Sequence, residues 1–148
     1  MKFLCEEFEK ADIRWVVAGS LSLALQEVNV KPRDIDIFTN RKGAFKINDL
    51  LKKHEKKKVE YSQTNRFASF FGVFRINDVK IEVMGDYKER EGDKWISLSH
   101  RLRSPKIVEI DGVKIPVSPL EDQLTSYKRS KRLKDTEKVQ RILQNSKL

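Results

Sequence analysis

Cysteine is almost missing from this chain: Cys5 is the single one in 148 residues. A lone thiol cannot close an internal disulfide, which excludes a disulfide-stapled scaffold and points to a reducing compartment. Neither histidine lies near Cys5 in sequence, so Cys5 reads as a helix-packing residue rather than a nucleophile. Long apolar runs are missing too. None approaches the roughly 20 residues of a membrane span, and "MKFLCEEFEK" carries acidic residues where a secretory signal has its apolar segment. These absences lead to the expectation of a soluble, cytoplasmic protein with no membrane partner. Internal repeats, low-complexity tracts and linker-like stretches are likewise wanting, so one domain over 1–148 is expected.

What is present is charge. Hydrophobic residues make up 39% and charged residues 36%, the balance of a globular chain with a strongly charged surface. The 31 Lys and Arg against 22 Asp and Glu leave a net charge of +9. A basic balance favours anionic partners such as nucleotides, phosphorylated substrates or nucleic acid, without choosing among them. The basic run Lys52 to Lys58 reads as a solvated helix end.

Apolar spacing predicts a helix over 2–11, a strand over 13–18, a helix over 21–28, a strand in "DIDIFT" and a helix from Lys42 to His54. "FASFFGVFRI" and "VKIEVM" flank Asn77-Asp78, and "KIVEI" and "VKIPV" flank Asp111-Gly112, which are two hairpin signals. Ser118-Pro119-Leu120-Glu121 has the form of a capped helix start, with the helix running to about Ser130. A last helix is expected to be capped by Asp135 and to bury Val139, Ile142 and Leu143. The order predicts an α+β fold: a mixed sheet with helices packed on it and two helices at the C-terminal end.

Within "KPRDIDIFTN", Asp34 and Asp36 stand two apart in an apolar, β-branched run. Residues two apart on a strand share a face, and carboxylates that close repel. A hard divalent cation such as Mg²⁺ would relieve them, since it takes carboxylate oxygens together with phosphates and waters. Alternatively, one aspartate caps the turn after Pro32 and the other pairs with Arg33 or Lys31. Gly19-Ser20 ends the preceding strand, where backbone N–H groups and a hydroxyl can meet a phosphate. Glu82 is a third carboxylate, mid-strand in "VKIEVM". Three carboxylates on neighbouring strands facing such a turn would make a metal-assisted phosphoryl-transfer site.

The stretch "VVAGSLSLALQEVNVKPRDIDIF" resembles the signature of the nucleotidyltransferase superfamily, whose fold is that of DNA polymerase beta, and "KIEVMGD" resembles the strand of its third carboxylate. The C-terminal "IPVSPLEDQLTSYKRSKRLKDTEKVQRIL" is similar to the end of small bacterial and archaeal members, the aminoglycoside nucleotidyltransferase-like and abortive-infection toxin proteins. One departure is the long spacer from Leu21 to Arg33. The resemblance implies transfer of a nucleoside monophosphate from a nucleoside triphosphate to an acceptor hydroxyl, on RNA, a protein or a small molecule, with release of pyrophosphate. It implies Asp34, Asp36 and Glu82 as catalytic and metal-holding residues for Mg²⁺ or Mn²⁺, and Gly19, Ser20 and Lys128 as nucleotide contacts. A non-catalytic nucleotide- or RNA-binding module, or one half of a toxin–antitoxin pair, are the other readings of such a chain.

Overall fold

The computed structural model describes residues 1–130 and 132–144. An eight-stranded mixed sheet forms its centre, built from β1 (Trp15–Ala18), β2 (Ile35–Thr39), β3 (Glu55–Gln63), β4 (Phe67–Ile76), β5 (Val79–Glu91), β6 (Lys94–Ser97), β7 (Lys106–Ile110) and β8 (Val113–Val117). The helices are α1 (Lys2–Lys10), α2 (Gly19–Leu25), α3 (Arg41–Leu50), the short α4 (His100–Arg103), α5 (Leu120–Ser130) and α6 (Leu133–Gln144). The strand order is β3-β4-β5-β2-β1-β8-β7, with β6 paired to the far end of β5. β2 runs parallel to β5 and β1 parallel to β8; the other pairs are antiparallel. The α+β class expected from the pattern is the observed one.

The main core lies on one face of the sheet. Phe8 and Leu4 of α1 and Ala44 and Ile47 of α3 pack with Val17, Ile37, Phe74, Ile81 and Val83 of the strands. Phe8 meets Trp15 edge to face at 5.0 Å, and Cys5 packs half-buried at the margin, where burial raises its thiol pKa. A smaller core forms where α2, α5 and α6 meet, from Leu23, Val28, Tyr127 and Ile142. Each fully buried side chain of this size contributes about 1.5–3 kcal/mol.

Several local expectations change. The helix predicted from Lys42 to His54 is α3 followed by a 3₁₀ turn over Lys52–His54, and Glu55 already starts β3. The basic run is therefore the beginning of an edge strand, exposed at Glu55 to Lys58, where lysines hinder edge-to-edge pairing. Buried Val59 is its one inward anchor. The strand in "VKIEVM" extends to Glu91 and turns back into β6. Both two-residue turns have their central residues in the left-handed region, Asn77 and Asp78 at φ 49° and 62°, Asp111 and Gly112 at 51° and 79°. That is the turn whose twist suits a hairpin.

The helix starts differ as well. Ser118 is buried, but its hydroxyl has no hydrogen-bond partner, so it does not cap α5. Its carbonyl instead accepts from Ser22 Oγ, Gln26 Nε2 and Gln123 Nε2. α6 begins at Leu133, which places Asp135 in its first turn rather than at its cap. Leu143, expected in the apolar stripe, is 53% exposed. No helix among the described residues is long and apolar enough to cross a membrane.

Candidate active site

The face of the sheet opposite the main core is roofed by α5 and α6 over a cavity of about 370 Å³. Its floor follows from strand alternation. Ile37 points into the core, so Asp36 and Phe38 point into the cavity; Ile81 and Val83 do the same for Glu82 and Met84. The parallel register of β2 and β5 sets Asp36 directly beside Glu82. On its other side Asp36 pairs with Ala18, the last residue of β1. The chain then turns at Gly19, whose φ of 64° favours glycine. A Cβ there would stand 2.2 Å from Asp36 Oδ2, so the turn and the carboxylate press together only because position 19 has no side chain.

Burial is the main cause that pushes the Asp36 carboxyl up to about 6, and neighbouring Glu82 adds to it. Lys138 of α6 and Lys80 oppose the shift. Lys80 Nζ donates to Glu82 Oε1 at 2.8 Å, and this bond raises the lysine pKa. Asp34 lies one residue before β2, exposed, and acts on Asp36 through space. Asp36 and Glu82 are thus brought together, with Asp34 at the strand's entry. Among the described residues no three His, Cys, Asp or Glu are close enough to hold a metal ion as they stand. Asp36 and Glu82 still suit a hard cation. They are adjacent oxygen donors, and the one that is most buried carries a charge its surroundings compensate poorly.

Gly19 lines the cavity, whereas Ser20 lies beside it in the first turn of α2. Lys128 is exposed and lines a separate groove with Arg66, Glu91 and Arg129, away from Asp36. Of the lysines on α5 and α6, the one that acts on Asp36 is Lys138. Its ammonium lies 3.8 Å from Asp135 Oδ1 and 5.0 Å from the Tyr127 ring centre, and burial lowers its pKa. Asp135, fully buried, is fixed by Ser130 Oγ at 2.5 Å and Arg132 Nε at 2.8 Å. The signal was available in the sequence: Asp135, Lys138 and Ile142 fall on one helical face.

The far end of the cavity carries residues that periodicity hid. β4 and β5 lose register between Ala68 and Phe70, where β5 carries one residue more than β4. Asp86 of that stretch has φ 50°. The extra residue moves Tyr87 and Glu89 onto the face of Glu82 and Met84. Burial raises the Tyr87 pKa, and Glu89 adds to it. Arg101 of α4 is also buried, which lowers its pKa. It donates to the Asp122 carbonyl at 2.6 Å and to Ser126 Oγ, while its Nε has no partner.

The sequence profile of the aminoglycoside-2''-adenylyltransferase family matches residues 1–142. The chain belongs to that family. Among solved structures, a protein of Thermotoga maritima, whose nucleotidyltransferase activity is itself an inference, is 34% identical, with a TM-score of 0.83 over 97% of this chain and 90% of its own. The lincosamide antibiotic adenylyltransferase LnuA, solved with lincomycin, is 13% identical, with a TM-score of 0.62 over 95% and 92%. ANT(2'')-Ia, solved with adenylyl-2''-tobramycin, is 9% identical, with a TM-score of 0.59 over 98% and 86%. At such identities the last two speak for the fold alone. No curated protein sequence gives a significant match. The family and the fold neighbours together make this an enzyme of nucleotidyltransferase type.

Proposed function

We propose that this protein transfers a nucleoside monophosphate, AMP by analogy with its family, from a nucleoside triphosphate to a hydroxyl of a small acceptor, releasing pyrophosphate. The observation that carries the reading is the Asp36 carboxylate, buried between the Gly19 turn and Glu82 at the floor of the cavity. The Gly19 backbone and the Ser20 hydroxyl donate to phosphate oxygens. Asp36 and Glu82, with Asp34 at the strand's entry, hold a divalent cation, Mg²⁺ or Mn²⁺. When bound, that ion offsets the charge of the phosphates. Lys138 places its ammonium against the triphosphate, the task that the family resemblance implied for Lys128. The acceptor oxygen attacks the α-phosphorus, the bond to the pyrophosphate oxygen breaks, and Glu82 Oε takes the hydroxyl proton. Lys80 orients Glu82 for this. A cavity of about 370 Å³ is within the range of small-molecule sites and suits the nucleotide; the small acceptor is proposed by analogy with the family.

The test is pyrophosphate release measured beside nucleotide affinity, with ATP, Mg²⁺ and a panel of hydroxyl compounds. Glu82→Gln is expected to leave nucleotide binding nearly intact and to slow transfer by roughly 10²–10⁴-fold. Asp36→Asn is expected to lose both metal-dependent binding and transfer. Full transfer by the Glu82→Gln protein would remove Glu82 from the mechanism.

A further inference from the structure

We infer that β7 is a dimerisation edge, and that a second copy of this chain pairs with it antiparallel, continuing the sheet across a two-fold axis. The two ends of the strand order give the first argument. β3 closes one end with Lys56, Lys57 and Lys58 exposed along it and with register shifts on both sides of Lys57. Lysines and irregular pairing are devices that keep a sheet edge from joining another chain. β7 closes the other end without them. It pairs with β8 at five consecutive positions and no shift, and its Ile107 and Ile110 are 53% and 45% exposed. A free row of backbone N–H and C=O groups flanked by apolar side chains is a template for another strand.

The hairpin sets the register of that pairing, and charge selects its direction. The two-residue turn at Asp111-Gly112 makes Ile110 and Val113 the hydrogen-bonded pair that closes it. Alternation then turns the backbone groups of Ile110, Val108 and Lys106 towards β8 and leaves those of Ile107 and Glu109 pointing outwards. Setting Ile107 of each copy opposite Glu109 of the other uses every one of these outward groups, and Val108 meets Val108 at the axis. A shift towards the start of the strand brings in Pro105, which has no N–H; a shift towards its end sets Glu109 against Glu109. Arg103 and Lys106 stand at the start, Glu109 and Asp111 at the end. All four are exposed, and none is in an ion pair among the described residues. A strand basic at one end and acidic at the other complements itself only when antiparallel. Lys106 then lies opposite Ile110 of the second copy, one residue from both Glu109 and Asp111. Among the described residues that line the active-site cavity, none belongs to β7 or β8, so nucleotide binding does not depend on the pairing.

Sedimentation of the intact chain over a wide range of concentrations tests this. Expected is a species of twice the chain mass of 17.4 kDa, in which the Ile107 and Glu109 amides exchange hydrogen more slowly than in the dilute monomer. Ile107→Pro removes an outward N–H that β8 does not use. It is expected to weaken self-association at least about tenfold, because each copy loses a donor. Ile107→Lys gives this edge the guard that β3 carries and is expected to act alike, so the outcome does not hang on proline being tolerated. Thermal unfolding checks that both variants fold, and their nucleotide affinity is expected to stay that of wild type. A wild-type chain that remains monomeric at every concentration would overturn the inference. A dimer that persists undiminished in both variants would put the interface elsewhere and overturn it equally.

Discussion

Consecutive residues of β5 face two different environments. Ile81 and Val83 are almost fully buried in the core under α1 and α3, with Phe74 beside them. Glu82 and Met84, between and beyond them, face a cavity with Asp36, Tyr87 and Glu89. The first face is dry, apolar and close-packed, and every atom there serves stability. The second keeps a half-buried carboxyl whose pKa is pushed up to about 6, chiefly by desolvation and then by neighbouring Glu82. One strand thus separates the part of the protein that holds the fold together from the part kept at a cost to it, as strain and buried charge at functional sites usually are.

Phe74→Ala breaks the comparison hardest. The side chain is wholly buried, and its loss leaves a cavity. Urea unfolding is expected to show a loss of about 3–5 kcal/mol, while the folded fraction still binds nucleotide normally. A loss below 1 kcal/mol would mean that the core face relaxes far more than close packing allows.

Asp36→Asn acts in the opposite direction on stability. The folded carboxyl sits at about 6 against an ordinary 3.8. Between those pH values the folded state holds more protons than the unfolded one, so stability falls as pH rises from about 4 to 6 and is flat above. Asparagine removes the slope. With chelator present, the variant is expected to be more stable than wild type at pH 7 by up to about 3 kcal/mol, and level with it near pH 4. Denaturation curves at both pH values check this; equal stability at pH 7 would mean that Asp36 is solvated or already compensated.

Two lysines give the smallest effects and the sharpest contrast. Lys138→Gln removes a charged donor from the cavity and is expected to weaken nucleotide binding by about 1.5–3 kcal/mol. Lys128→Ala, in the neighbouring groove, is expected to leave nucleotide affinity unchanged and stability within about 0.5 kcal/mol. Nucleotide titrations of the two variants side by side would reverse the assignment if Lys128 proved the more sensitive.

The sequence by itself determined the class of the fold and which face of its own strand each of Asp36 and Glu82 takes. Alternation puts Asp36 and Glu82 on the faces opposite Ile37 and Ile81, and Gly19 ends β1 because the turn there needs its conformation. These are local facts, carried by periods of two and by residue type. Only the tertiary structure decided the rest. The parallel pairing of β2 with β5 is a contact between segments over 40 residues apart in sequence, and no local pattern encodes its register. The extra residue near Asp86 shifts the alternation, so Tyr87 and Glu89 face the cavity although unbroken counting from Glu82 puts Tyr87 in the core. β3 escaped notice because its lysines face water along a sheet edge, leaving Val59 as its one buried residue. Lys138 rather than Lys128 faces the acids because the packing of Ile142 and Tyr127 against Leu23 sets how α6 is rotated over the sheet. That rotation depends on three helices meeting at once, so it exists only in the folded chain.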